Sequence, residues 1–232
     1  MKKFTAILCL SALATGAFAQ GTVTAINGTY SLARTNATGL GGTAGSTAPS
    51  SLGFYYGLFT AASTVTSVDA NLQNLLSGTW TFTGLYATNL ASAGRLSGGA
   101  GVATTQGWTP GVTNSYLLLG WSANIAQFDI LSVSNQLRGA SDSSGVWTGP
   151  NFAAGSNRGF IGVTAIGFGE AGGGTTGLGP FPLFGTTPTS AGTPIGSPFD
   201  MFVVNVGAVP EPSSFALAGL GAAALLIFRR RK

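Results

Sequence analysis

The chain has 232 residues, of which only 7% are charged, and it contains no histidine. Its formal charge of +4 comes from its two ends, because residues 20–208 hold four arginines against five acidic residues. This balance leaves no basic surface for a nucleic-acid partner, and the lack of histidine excludes Ser–His and Cys–His nucleophiles as well as histidine-based metal sites.

The N-terminal residues have the three parts of a secretory signal peptide. Lys2 and Lys3 give a basic start, residues 4–13 form a largely apolar stretch, and residues 17–19 read Ala-Phe-Ala, a small-x-small cleavage site. We therefore predict a helical signal peptide at residues 1–19, handled by the secretion machinery. The only cysteine, Cys9, lies within it, so the exported chain should contain no disulfide.

Residues 20–208 are predicted to form a β-rich extracellular body. They are rich in glycine, threonine and serine, but aromatic residues recur in alternating runs, which disordered segments lack. Short strands are expected at residues 23–26 and 29–32, followed by a loop at 39–51. Residues 54–60, Phe-Tyr-Tyr-Gly-Leu-Phe-Thr, predict a strong strand with a bulge at Gly57.

The next segment changes to a helical period. Four apolar residues are spaced as on one face of a helix: Val68, Leu72, Leu75 and Leu76. They predict a short amphipathic helix at residues 67–76. Residues 79–83 then alternate polar and aromatic side chains, which predicts a half-buried strand with Trp80 and Phe82 on one face.

The middle of the body repeats this order of elements. A loop of small residues is expected at 91–111. The unbroken apolar run at residues 116–121 predicts a central strand covered on both faces. A second short helix is expected at 129–137. A strand followed by a short helix thus occurs at residues 54–76 and again at 116–137, either by duplication or by chance.

Two further strands are predicted, at residues 160–168 and 201–206, separated by a long Gly/Pro/Thr loop at 169–198. Short strands with glycine- and proline-rich connections indicate a mainly β fold. We expect a β-sandwich resembling a jelly roll, with one or two short helices. Its facing sheets should bury Trp80, Phe82, Leu117, Leu119, Ile161 and Val163.

Two sequence patterns could indicate a catalytic or a cofactor-binding site, but neither pattern is specific. A glycosidase needs two flanking carboxylates, and Asp129 with Asp142 or Glu170 would be such a pair, but isolated acids explain these residues better. Residues 167–172 read Gly-Phe-Gly-Glu-Ala-Gly, but a dinucleotide site requires a helix to open there, and the glycines that follow predict a flexible turn. We expect no enzyme and no cofactor. Because no Asp-x-Asp cluster occurs, we expect no metal either, calcium included.

Two tryptophans in predicted loops are followed by similar residues. Trp108 is followed by Thr-Pro-Gly and Trp147 by Thr-Gly-Pro. If they are exposed, both could stack on sugar rings, as aromatic residues do in surface glycan-binding sites. The alternative, which we favour, is that each tryptophan plugs one end of the core.

The C-terminal residues combine three features in sequence. Pro210, Glu211 and Pro212 form a stiff entry, because the two prolines restrict φ and donate no backbone hydrogen bond. Residues 215–228 are uncharged and apolar, and predict a short transmembrane helix. Four basic residues end the chain: Arg229, Arg230, Arg231 and Lys232. A basic cluster after an apolar helix keeps that end in the cytoplasm.

This order of features at residues 209–232 resembles the PEP-CTERM sorting signal. The resemblance implies recognition at Pro210, Glu211 and Pro212 by an exosortase, a membrane-embedded thiol protease-transpeptidase of a Gram-negative-type bacterium. It also implies transient residence in the inner membrane, removal of the helix and transfer of the body to the cell surface. It covers only about a tenth of the chain and implies nothing about residues 20–208.

The sequence thus predicts three regions: a signal peptide (1–19), a body (20–208) and a sorting signal (209–232). Together they predict a secreted, non-enzymatic protein of the bacterial surface or extracellular matrix. The alternative is a carbohydrate-binding module displayed at the surface, with exopolysaccharide as its partner. A degraded hydrolase is a third and weaker hypothesis.

Overall fold

Strands make up 52% of the described chain. The computed structural model describes residues 20–35, 45–47, 53–69, 72–76, 78–123, 125, 128–130, 133, 158–174 and 176–205. The predicted signal peptide and the predicted sorting signal lie outside these residues.

Twelve strands and one short helix are present in the described residues. The strands are β1 (Gly21–Ile26), β2 (Ala33–Thr35), β3 (Gly45–Ser46), β4 (Phe54–Ala62), β5 (Thr81–Asn89), β6 (Leu96–Thr105), β7 (Thr113–Ser122), β8 (Arg158–Val163), β9 (Gly167–Glu170), β10 (Phe181–Pro182), β11 (Gly192–Thr193) and β12 (Phe199–Asn205); the helix α1 is Gln73–Leu76.

The strands form one curled, mainly antiparallel sheet. Its order is β10-β1-β6-β5-β4-β7-β8-β12-β2-β3, with β9 pairing β7 and β11. Only β1 with β10 and β12 with β2 run parallel among the described pairs. The mainly β prediction is confirmed. The predicted pair of facing sheets is not what the described strands form, because hydrogen bonds join them into a single sheet.

The inner face of the curled sheet encloses one core. Alternate residues of β4 and β7, including Tyr56, Leu58, Tyr116 and Leu118, point into it and are fully or almost fully buried. Strand β12 contributes Met201, which is also buried. The long aromatic and aliphatic side chains of neighbouring strands therefore meet inside the curl, where they lose contact with water.

A second core covers the outer face of the same strands. Phe59, Leu117, Leu119 and Trp121 pack there against residues of the two connections that follow β4 and β7. These covering residues include Val68, Leu72, Leu75, Trp80, Ile125, Ile130 and Val133. Strand β7 is therefore covered on both faces, as its unbroken apolar run predicts.

The six side chains predicted to be buried together do share this outer core. Trp80, Leu117, Leu119 and Ile161 are buried, and Phe82 and Val163 are partly buried against them. However, the prediction that a second, facing sheet would cover these side chains was wrong. The described residues that cover them come from helical and irregular connections, not from a second sheet.

Strand β4 confirms the prediction for residues 54–60 and extends it by two residues, to Ala62. The bulge predicted at Gly57 is wrong, because β4 pairs with β7 without a break through Gly57. The register with β5 does shift at this level, but the extra residues belong to β5, between Phe82 and Tyr86, where Gly84 has a φ of 78°. Strand β1 is also confirmed, whereas residues 29–32 form a turn and bend, and the next strand starts at Ala33.

The helix predicted at residues 67–76 is shorter than expected. Among the described residues of this span, the helix comprises Gln73–Leu76, and Leu72 adopts a left-handed φ of 60° just before it. The apolar spacing still buries Leu72 and Leu75. Of the second predicted helix, Ile130 and Val133 are helical, and the Val133 N–H donates to the Asp129 carbonyl at 3.2 Å. Residues 134–137 lie outside the described part.

Two predicted loops contain strands. Residues 91–111 include β6, whose ten residues pair with β1 and β5. Residues 169–198 include β10, β11 and the end of β9. Glycines and other small residues give both segments a low β-propensity, so the sequence alone does not indicate strands there. These segments form strands because they pair with adjacent strands of higher β-propensity.

Candidate sorting signal and surface sites

The last described strand, β12, leads along the chain to the predicted sorting signal. Strand β12 lies between β8 and β2, and Phe199 and Met201 are buried. It ends at Asn205, which pairs with Arg158 of β8. Five peptide units separate Asn205 from Pro210, and even fully extended they span at most about 18 Å. The body is therefore connected to the Pro-Glu-Pro sequence by a short tether.

The sorting residues themselves lie outside the described residues. This applies to Pro210, Glu211 and Pro212, to the apolar residues 215–228, and to the basic residues Arg229, Arg230, Arg231 and Lys232. Within the described part of the chain, no helix is long and apolar enough to cross a bilayer. The predicted transmembrane helix therefore stays a prediction.

An ion pair ties β12 to β2. Arg34 Nε donates to Asp200 Oδ1 at 2.9 Å, and Arg34 Nη2 donates to Oδ2 at 3.4 Å. The two residues are also cross-strand partners in the parallel pair. Both side chains are about 40% exposed, at 42% and 39%, so solvent screens the pair and its contribution is modest. The pair helps to align the two strands, and the carboxylate is not free for catalysis.

Trp108 is a core residue and not a sugar-binding platform. Its side chain is fully buried, and Nε1 donates to the Val112 carbonyl at 3.1 Å. Its ring packs against Tyr116 and Phe181, with centroid distances of 5.4 and 6.2 Å. The predicted glycan contact at Trp108 is therefore wrong, and the alternative of a core plug is confirmed there. Trp147 lies outside the described residues.

The other carboxylates in the described part also have structural partners. Glu170 Oε1 accepts a hydrogen bond from Thr113 Oγ1 at 3.1 Å, and Asp69 Oδ2 accepts one from the Asn74 N–H at 3.2 Å. Asp142, one half of the considered glycosidase pair, lies outside. In the described residues no three acidic or cysteine side chains come together as metal ligands would.

The Gly-Phe-Gly-Glu-Ala-Gly sequence forms a strand. Gly167–Glu170 is β9, which pairs antiparallel with β7 and β11, and Gly172 bridges to Thr22. Residues 167–170 are therefore a strand and not a turn, whereas Gly174, among the glycines that follow, does lie in a turn. Because residues 167–170 belong to a sheet, their N–H groups do not form the start of a helix that a pyrophosphate would need.

Two tyrosines inside the curl are structural. Burial raises the pKa of Tyr56 and of Tyr116 well above the usual value of a phenol. Tyr116 Oη donates to the Leu183 carbonyl at 2.7 Å, and Tyr56 Oη lies 3.3 Å from Thr47 Oγ1. Neutral phenols held in this way join strands and loops across the core.

One exposed aromatic group was not anticipated from the sequence. Phe128 is 58% exposed and packs edge-on against Tyr55 and Tyr86, at centroid distances of 4.6 and 5.7 Å. Tyr86 Oη also accepts a hydrogen bond from the Ile130 N–H at 3.1 Å. The spacing of these residues in the sequence does not reveal the cluster, because three separate segments contribute to it.

Comparison with known proteins identifies the C-terminal residues. Residues 208–232 match the family model described as the PEP-CTERM protein-sorting motif. The match includes all seven residues singled out above and begins three residues after the end of β12. No match to the chain was found among curated proteins or among solved structures.

Proposed function

We propose that this chain, a PEP-CTERM sorting domain-containing protein, is a non-enzymatic component of the bacterial cell surface or extracellular matrix. The match of residues 208–232 to the sorting motif carries the proposal. The motif implies export, a membrane-anchored sorting signal, processing by an exosortase and delivery to the cell surface. The role of the body after delivery is the proposed part.

Each part of the sorting signal has a distinct task in this proposal. Pro210 and Pro212 keep the backbone on both sides of Glu211 extended and without hydrogen-bond donors, so that it can enter a protease cleft. The apolar residues 215–228 keep the precursor in the inner membrane. The terminal arginines and Lys232 orient that segment with its end in the cytoplasm.

The non-enzymatic role is supported by the state of the polar groups in the described body. The carboxylates of Asp69, Glu170 and Asp200 bond to neighbouring side chains or backbone. The buried phenols of Tyr56 and Tyr116 stay protonated at neutral pH. A catalytic pair of titratable groups would need two environments that shift their pKa values toward neutrality.

Replacing Pro210, Glu211 and Pro212 by alanines tests the sorting part. We expect the variant to insert into the inner membrane but not to be released, so that full-length protein accumulates there. A control with Leu225 and Leu226 replaced by isoleucine should be processed like the wild type. Fractionation, with mass spectrometry of the C-terminus, distinguishes the two. Normal release and trimming of the alanine variant would show that Pro-Glu-Pro is not the signal.

The alternative function is carbohydrate binding at the surface. Phe128 favours it, because this ring is exposed and rests on Tyr55 and Tyr86. A glycan array with the released protein tests this alternative. Binding that is lost in Phe128→Ala but kept in Val112→Ala, a change at another exposed apolar residue, would support it.

A further inference from the structure

One row of directly paired residues crosses the sheet close to the end of β12. Each residue of the row is paired with its neighbour on the adjacent strand, so all of them lie at one level of the sheet. Tyr55, Trp121 and Ile161 of this row belong to the outer core. The row runs through Ile26, Ser97, Thr88, Tyr55, Trp121, Ile161 and Phe202. Strand β12 continues for only three residues beyond it, to Asn205.

Exposed apolar side chains lie at this end of the sheet. Ile26 belongs to the row and is 36% exposed, Leu90 follows Thr88 by two residues and is 38% exposed, and Phe128 packs on Tyr55 and is 58% exposed. We call the end of the sheet marked by Ile26, Leu90, Phe128 and Asn205 the exit edge.

A cation lies beside these side chains. Arg95 stands in the turn between β5 and β6, and its carbonyl accepts the Leu90 N–H at 2.9 Å. Its side chain is half-buried, and Nε has no hydrogen-bond partner in the described structure. The exit edge thus combines three apolar side chains with a half-buried guanidinium, whose unpartnered Nε is itself shielded from solvent.

The length of the chain beyond Asn205 indicates what the exit edge meets. The tether to Pro210 spans at most about 18 Å, and Pro210 lies just before the apolar membrane segment. Strand β7 has ten residues, so its two ends are about 30 Å apart. With Pro210 at the membrane interface, as the proposed sorting signal requires, Asn205 stays within about 18 Å of the membrane, whereas the opposite end of β7 lies about 30 Å farther along the strand. The exit edge is therefore the end of the body that the anchored precursor holds nearest to the membrane.

We propose that the exit edge contacts the headgroup region of the outer leaflet of the inner membrane in the anchored precursor. This rests on the proposed sorting function. Phe128, Leu90 and Ile26 insert their apolar side chains at the interface, where aromatic residues are enriched, and Arg95 approaches lipid phosphates. The contact holds the Pro-Glu-Pro sequence at the depth of a membrane-embedded protease.

The contact depends on the tether. Three partly exposed apolar side chains bury too little area to hold a free protein on a bilayer. Attachment through residues 206–214 raises the local concentration of the membrane to a level at which even a weak contact forms. Cleavage removes the tether, so the body leaves the membrane without any change in its fold.

Lipid quenching of single labels tests the contact in the full-length precursor. Cysteine is introduced at Phe128 or at Leu90 in a Cys9→Ser background, labelled with an environment-sensitive fluorophore, and reconstituted into phosphatidylethanolamine–phosphatidylglycerol vesicles. Brominated acyl chains should cause a clear loss of fluorescence at both positions. Val112→Cys, at the opposite end of β7 and 47% exposed, is the matched control and should keep its fluorescence.

Two results would overturn the proposal. One is the absence of quenching at both Phe128→Cys and Leu90→Cys, and the other is equal quenching at Val112→Cys. Glycan-array binding that depends on Phe128, together with unquenched labels in vesicles, would assign the surface to carbohydrate and also overturn it.

Release by the exosortase is measured separately in cells, which keeps the two proposals distinguishable. A Phe128→Glu, Leu90→Glu variant should be released several-fold more slowly, whereas Val112→Glu should be released normally. Quenching without any release would leave the contact standing and remove the sorting function. Release without quenching would leave the sorting function standing and overturn the membrane contact.

Discussion

Three of the four tryptophans lie in the described residues, and all three are buried. Their polar atoms differ in environment. The Trp108 N–H reaches the Val112 carbonyl, whereas Trp80 Nε1 is buried without a partner in the described structure. An unpartnered buried N–H costs free energy, so Trp80 stabilises the fold through its apolar contacts alone. Trp108 and Trp80 therefore stabilise the fold in different ways.

Trp80→Ala should destabilise the protein by about 3–5 kcal/mol, because it removes a large side chain that is only 2% exposed. Trp80→Phe should cost much less, because it keeps most of the ring contacts and removes the unpartnered N–H. Urea unfolding midpoints of the two variants and the wild type provide the comparison. An unchanged midpoint in Trp80→Ala would mean that the outer core does not depend on this residue.

The buried tyrosines predict a loss of stability at alkaline pH. The raised pKa of Tyr56 means that the folded state keeps the phenol protonated, while the unfolded chain ionises it above about pH 10. The unfolded state then binds fewer protons, so stability is complete below about pH 10 and falls as pH rises above it. Each such tyrosine contributes a slope of up to about 1.4 kcal/mol per pH unit.

Tyr56→Phe should reduce this slope, although the hydroxyl near Thr47 is lost at every pH. Urea unfolding of the wild type and the variant, measured from about pH 8 to about pH 11, gives the two slopes. Equal slopes would show that Tyr56 ionises as easily in the folded protein as in the unfolded chain.

At the scale of elements, close approach of backbones decides how β12 is held. Gly162 of β8 is buried, and a Cβ atom there would contact the Asp200 carbonyl and lie 2.9 Å from Met201 Cα. Because both contacts are with backbone, no side chain can move aside. Glycine at this position lets β12 pack closely against β8, and β12 is the strand that leads to the sorting signal.

Gly162→Ala should therefore destabilise the protein by about 1–3 kcal/mol, the range seen when a packed site is overfilled. Gly179→Ala is the matched control, since a Cβ at Gly179 would meet nothing within 4 Å. The control should be neutral or slightly stabilising, because alanine restricts the unfolded chain. Thermal unfolding of both variants checks this, and equal midpoints would contradict the close packing of β8 and β12.

At the scale of the whole molecule, the charge is concentrated at the two ends, where we predict the targeting segments, and the body has a net charge of −1. Basic residues stand next to an apolar segment at both ends of the chain. The positive-inside rule therefore predicts that both ends of the precursor stay in the cytoplasm while the body crosses the membrane. In the proposed anchored precursor, the short tether after β12 holds the exit edge near the outer face of that membrane.

A reporter fused after Lys232 tests this topology. Before processing, the fusion should behave as cytoplasmic, because the four terminal basic residues resist translocation. Changing these four residues to serine should reduce this retention. A periplasmic signal from the unchanged fusion would contradict the topology.

Local sequence patterns determined several features of this protein. The Pro-Glu-Pro, apolar and basic order at the C-terminus was sufficient to predict the sorting motif, which the family match confirms. Alternation and apolar runs predicted β4 and the double coverage of β7. These features can be read locally, because each depends on residue types a few positions apart.

Tertiary structure alone decided the rest. Strand β6 contains four glycines or alanines in a row and becomes a strand because β1 offers a complementary edge. Trp108 and Trp147 have matching neighbours in the sequence, yet the burial of Trp108 depends on Tyr116 and Phe181, which arrive from distant strands. The covering of the outer core and the position of Phe128 depend likewise on pairing between remote segments. Such contacts are set by the curl of the whole sheet, which no short stretch of sequence encodes.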